Sequence, residues 1–166
     1  MALALPSDAA FWLLLGALPV AVWVVWTDLA TMKIPNKAVL ALMAVFAVAG
    51  VATLPLTVWA WAWAQFAVVL VAGFLLSLTG GFGAGDAKFA AAMAPFVALG
   101  DLGLFMLLLS AMAIVSFVLH RIARQLPAVR AAAPGWASWE RREFPFGIAL
   151  APSLIVYLGL AATLGS

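Results

Sequence analysis

Polar residues divide this chain into long apolar runs. The first, Ala9 to Thr27, stops at Asp28; the second, Lys37 to Leu54, ends at a Pro55 turn. A third, Leu56 to Leu78, runs into a segment holding Gly80, Gly81, Gly83 and Gly85. The fourth, Ala87 to Leu99, is short, and Gly100-Asp101-Leu102-Gly103 reads as a tight turn after it. A fifth spans Leu104 to Leu119, a polar stretch follows from His120 to Glu143, and the sixth covers Phe144 to Leu164. Runs this long and apolar predict membrane-spanning helices. The expected fold is all-α: a polytopic membrane protein with six transmembrane helices in one domain, residues 1–166.

Composition agrees. Hydrophobic residues make up 68% of the chain and charged ones 8%, with a mean hydropathy of +1.22. A soluble domain carries roughly 45–50% apolar and about 25% charged residues, so a soluble enzyme, a disordered tail and a free nucleic-acid binder are excluded. The basic pI of about 9.5 reflects placement, not a nucleic-acid partner. With the N-terminus outside, Lys33 and Lys37 fall in the first inner loop and Lys88 in the second. Arg121, Arg124, Arg130, Arg141 and Arg142 fall in the third. Basic residues collect in cytoplasmic loops, and an even span number with both termini outside puts all eight there.

Trp59, Trp61 and Trp63 then mark the outer interface and Trp23 and Trp26 the inner one. The N-terminus lacks a basic region and carries Asp8, so it reads as a lead-in to the first span, not a cleaved signal. With no cysteine, disulfides, thiolate metal sites and a thiol nucleophile are ruled out.

The short fourth run has a consequence for chemistry. Its thirteen residues reach about 20 Å as a helix, against a hydrocarbon core of about 30 Å. The helix is expected to start within the membrane after the glycine break, leaving Asp86 at depth. Irregular backbone at depth survives only inside protein or beside a watery cavity, so a hydrated, cytoplasm-facing pocket is expected around Asp86.

Of six carboxylates, Asp8, Asp101, Glu140 and Glu143 read as solvated charges. Asp28 and Asp86 do not, and an ionised Asp near the centre of a span costs roughly 2.5–3.5 kcal/mol. Taken singly, Asp86 has an alternative as a helix N-cap and Asp28 as an interface residue. Taken together, at matching depth and with the glycines ahead of one, they point to a shared site. Gly83, Gly85 and Lys88 complete a GxGDxK pattern; the glycines allow close backbone approach and unusual dihedrals, while Lys88 biases the pair or marks the inner boundary. Pro35 keeps Ile34 extended, and Asn36 reads as the cap of the helix from Lys37. His120 reads as interfacial. The loop around Trp136 and Trp139 is expected to lie along anionic lipid. Without a His, Cys and carboxylate cluster, no metal and no cofactor are expected.

Thr27-Asp28 through Lys33-Ile34-Pro35-Asn36, then Gly83-Ala84-Gly85-Asp86-Ala87-Lys88, resembles the type IV prepilin peptidases, polytopic aspartic proteases of the GxGD type. Phe144-Pro145-Phe146-Gly147-Ile148-Ala149 is similar to the start of that family's last span. The small size resembles the short form that accompanies Tad/Flp pili, without the cysteine-bearing methyltransferase segment of longer members. The resemblance implies a multi-pass protein of the bacterial inner membrane with its site facing the cytoplasm. It implies a prepilin partner, a basic leader ahead of a hydrophobic helix, cut after a glycine. Asp28 and Asp86 match the catalytic pair.

Chemistry supports that pairing. Peptide hydrolysis needs a base to activate water and an acid to protonate the intermediate or leaving amine. Two close carboxylates cannot both ionise cheaply, so the pair offers both. Paired intramembrane carboxylates also serve proton- or cation-coupled transport, and that rival predicts flux without precursor processing. A third reading is a non-catalytic assembly subunit retaining the fold. Oligomeric state is open.

Overall fold

The computed structural model describes residues 2–80 and 83–166. Among them, five helices are long and apolar enough to cross a membrane. They are α1 (Ser7–Thr31), α2 (Asn36–Thr53), α3 (Leu56–Ser77), α5 (Leu102–Gln125) and α7 (Gly147–Leu164). Between α3 and α5 lies the short α4 (Ala84–Met93), and α6 (Pro127–Ala132) sits in the loop after α5. The apolar runs and the helices agree closely, except that the fourth run yields ten helical residues, not a full span.

Proline sets three of the starts. Pro6, Pro35 and Pro55 precede α1, α2 and α3 with φ of −57°, −71° and −53° and extended ψ. The ring fixes φ and denies the preceding turn an N–H donor, so each helix begins directly after its proline. Asn36 is thus the first residue of α2 and not its cap, because Pro35 already occupies that position and the Asn36 side chain makes no capping bond.

Within α2 a π-turn, Phe46–Gly50, brings the Phe46 ring against Trp63 and Phe96. Trp59 Nε1 donates to the Phe46 carbonyl at 3.4 Å. Trp59 and Trp63 therefore pack partly into the bundle, and Trp61 is the one of the three that stands exposed, at 75%.

α4 breaks at Pro95 into a 3₁₀ turn and then an extended stretch at Val97. At about 15 Å long α4 alone does not cross a core of about 30 Å; the chain covers the rest through these turns to Asp101, beside Ala4 and Leu5 ahead of α1. Two carbonyls of that stretch face Gln65 of α3: with its nitrogen turned to them, the amide donates to Ala94 O at 3.0 Å, which also accepts from Val97 N, and to Val97 O at 3.1 Å. A second proline, Pro152 in α7, deprives the Ile148 carbonyl of its helical donor. Ser116 of α5 donates its hydroxyl there at 2.9 Å.

The core runs between α1 and α7, where Ala9, Ala10, Ala17 and Ala21 meet Ala151, Leu154, Leu158 and Ala161. Small residues let helix backbones approach closely in apolar surroundings. Phe46, Phe89, Met93 and Phe96 fill the space beside α2 and α4. α3 and α5 carry the exposed apolar surface, including Val68 and Ile114.

The chain ends meet: Leu3 N donates to Leu164 O at 2.9 Å and Ser166 N to Leu3 O at 3.1 Å. Asp101, expected to be solvated, is buried beside them. Its carboxylate accepts from Ala4 N at 2.8 Å, Leu5 N at 3.1 Å and the Tyr157 hydroxyl at 2.8 Å. Placement in a turn marked it as exposed; three donors from distant parts of the chain make burial tolerable.

Candidate active site

Asp28 sits in the last turn of α1, inside the helix rather than just beyond it. Met32 ends that helix with φ 55°, its N–H donating to Asp28 O at 2.9 Å. This left-handed residue reverses the chain so that Met32 and Ile34 return along the side of Asp28 and line a cavity.

Asp86 arrives from the other side. α4 starts at Ala84 with Gly83 as its cap residue, which places Asp86 in the first turn, not at the cap. Its carboxyl reaches back to the Gly83 N–H, the reciprocal half of a capping box with glycine in the usual Ser or Thr position. Gly83 has φ −68° and ψ 137°, an ordinary extended residue, and Gly85 is helical. The expected unusual dihedrals do not occur at either; among the described residues of that segment, only Gly80 has positive φ, at 75°. What Gly83 provides is room, since a Cβ there would lie 2.5 Å from Asp86 Oδ2. Gly81 lies outside the described residues.

The two carboxylates line one open cavity of about 810 Å³. Asp28 is almost fully buried and Asp86 half-buried. Asp28 Oδ2 accepts a 2.7 Å hydrogen bond from Gly147 N, the first residue of α7.

The rim is polar. Lys33, Asn36, Lys88, Arg141 and Glu143 line it with Phe144, Pro145 and Phe146. Lys88 Nζ lies 3.4 Å from Asn36 Oδ1, linking α4 to α2 across the mouth. Pro35 acts one step removed, by starting α2.

His120 and the tryptophan loop depart from expectation. The His120 ring is buried and stacks on Trp139 at 5.6 Å, Trp139 stacks on Trp136, and Trp136 meets Trp26 of α1 edge-on. The loop folds back onto the bundle because these rings bury one another. It thereby brings Arg141 to Phe146 over the cavity. No sequence pattern pairs Gly147 with Asp28; the one signal is a glycine after proline and aromatics at the start of an apolar run.

A sequence model of the type IV leader peptidase family matches residues 12–119. No curated protein and no solved structure gives a match. The matched stretch takes in most of α1, all of α2 to α4 with Asp28 and Asp86, and most of α5. This chain, a multi-pass helical membrane protein, belongs to the type IV leader peptidase family.

Proposed function

We propose that this protease removes the leader of a type IV or Flp-type prepilin at the cytoplasmic face of a bacterial inner membrane, cutting after a glycine, with Asp28 and Asp86 as its acid–base pair. The observation that carries this reading is that one open cavity receives a carboxyl from the end of a spanning helix and another from the start of a short one. Two carboxyls that share surroundings and differ in protonation supply base and acid together.

Hydrolysis then runs through water. The ionised carboxylate takes a proton from water as its oxygen attacks the scissile carbonyl carbon, and the protonated one gives its proton to the carbonyl oxygen. Collapse of the tetrahedral intermediate breaks the C–N bond, and a proton returned from the pair leaves with the amine. The products are a leader with a free carboxylate and a pilin with a new N-terminal amine; no covalent enzyme intermediate forms.

Glu143 at the rim faces a basic leader favourably, and Asn36 keeps Lys88 to the side. Gly83, Gly85 and Pro35 shape the approach. The topology that fits is the one with all eight basic residues inside and both termini outside. The test is a mass measurement: a purified precursor in detergent or liposomes should lose its leader's mass when this protein is added, and an unchanged precursor counts against the reading.

A further inference from the structure

Asp28 is held from a part of the chain that the family match does not reach. Gly147 lies 119 positions away, opens the eighteen-residue α7, and donates its N–H to Asp28 Oδ2 at 2.7 Å with both groups buried. An N–H at a helix start has no partner within its own helix, and a negative group there lies in the favourable field of the helix end. The neighbouring amides are occupied: Ile148 N and Ala149 N bond back to Pro145 O and Phe146 O. The Gly147 N–H is turned to Asp28.

The missing side chain matters equally. A Cβ on Gly147 would lie 2.7 Å from Asp28 Oδ2, 3.1 Å from Cγ and 3.2 Å from Cβ. The last of these is close to the α1 backbone and cannot move aside as a carboxyl tip can. Asp86 has a matching arrangement with Gly83, so each carboxyl has one oxygen tied to a glycine amide at a helix start.

Resting on the acid–base reading above, we propose that Gly147 is a positioning residue for the hydrolysis: its N–H fixes Asp28 Oδ2, which leaves Oδ1 to meet the attacking water, and its lack of a side chain lets α7 seat against the carboxyl. α7 is thereby part of the site, not only a wall of the bundle.

The sequence allows a selective test. Phe-Gly pairs occur only at Phe82-Gly83 and Phe146-Gly147. Labelling the phenylalanine carbonyl carbon and the glycine nitrogen therefore isolates two amide signals in the full-length protein. The Gly147 amide should move more in Asp28→Asn than in Asp86→Asn, with the reverse order for Gly83. Gly147→Ala, if folded by its thermal transition, should lower kcat about a hundredfold through misplacement of the carboxyl and leave KM unchanged. A folded Gly147→Ala with wild-type kcat overturns the proposal. Should that variant not fold, the amide measurement decides. A Gly147 signal indifferent to Asp28→Asn, in a protein that still needs both aspartates to cleave, removes the positioning role and spares the dyad. Cleavage that needs neither aspartate removes the dyad itself.

Discussion

The Tyr157 hydroxyl donates to Asp101 Oδ2 at 2.8 Å and accepts from Ala98 N at 3.2 Å. Together with the Ala4 and Leu5 amides, this ties the start of α1, the start of α5 and the last turns of α7 into one knot. Asp28 lies near the far end of α1, so the knot and the cavity occupy opposite ends of the bundle.

That separation yields a prediction about stability. Asp101→Ala strands buried donors, and each left unpaired costs about 1–3 kcal/mol. Tyr157→Phe keeps the ring and loses two bonds, to Asp101 and from Ala98 N, of about 1 kcal/mol each. Thermal or denaturant unfolding in detergent should show Asp101→Ala as the weaker protein, with cleavage per folded molecule unchanged in both.

The two motif glycines should part company. Gly83→Ala places a methyl 2.5 Å from Asp86 Oδ2, so the carboxyl must leave its amide partner and cleavage should fall with little change in stability. At Gly85 a Cβ meets Ile34 at 3.6 Å, an ordinary contact. Alanine inside a helix is favoured over glycine by roughly 0.5–1 kcal/mol, so Gly85→Ala should unfold at a slightly higher temperature.

Much of this arrangement was legible in the sequence and some was not. Five of the six runs form helices, four of them within a few residues of their expected ends and α5 running on past Leu119 to Gln125, because hydrophobic length and proline are local signals. The meeting of Asp28 and Asp86 in one cavity was readable too, since each broke an apolar pattern at a similar depth. The burial of Asp101, His120 and Trp139 is not legible locally, because it depends on partners distant in sequence. A buried carboxylate satisfied by Ala4, Leu5 and Tyr157 looks like any turn aspartate until the chain is folded. The Gly147 contact was hidden for the same reason.

Gln65 tests how the short helix is tolerated. Its amide donates to the Ala94 and Val97 carbonyls on either side of the Pro95 turn. Gln65→Leu keeps the bulk and removes that donor; Ala94 O keeps its bond from Val97 N, so the cost of about 1–3 kcal/mol is that of Val97 O left unpaired. Hydrogen exchange should show faster opening around Val97 in the variant; identical exchange would mean that the carbonyls find other donors.

The pH profile has a definite sign. The pair needs one carboxyl ionised and one protonated, so cleavage should fall at low pH, where both hold protons, and at high pH, where neither does. Two close carboxylates resist the second ionisation, which moves the alkaline limb above the ordinary carboxylate range. The profile of kcat/KM reports the free enzyme. A peptide that excludes water from the cavity disfavours the second ionisation further, so the limb in kcat should lie higher. Coincident limbs would show that substrate does not dry the pair.

The central claim concerns two side chains, and the most direct measurement is cleavage of a cognate precursor coexpressed with Asp28→Asn or Asp86→Asn. Each substitution preserves size and removes the ionisable oxygen, so each folded variant should leave the precursor at full mass while the wild-type protein shortens it. A folded variant of either kind that shortens the precursor at the wild-type rate would contradict the account.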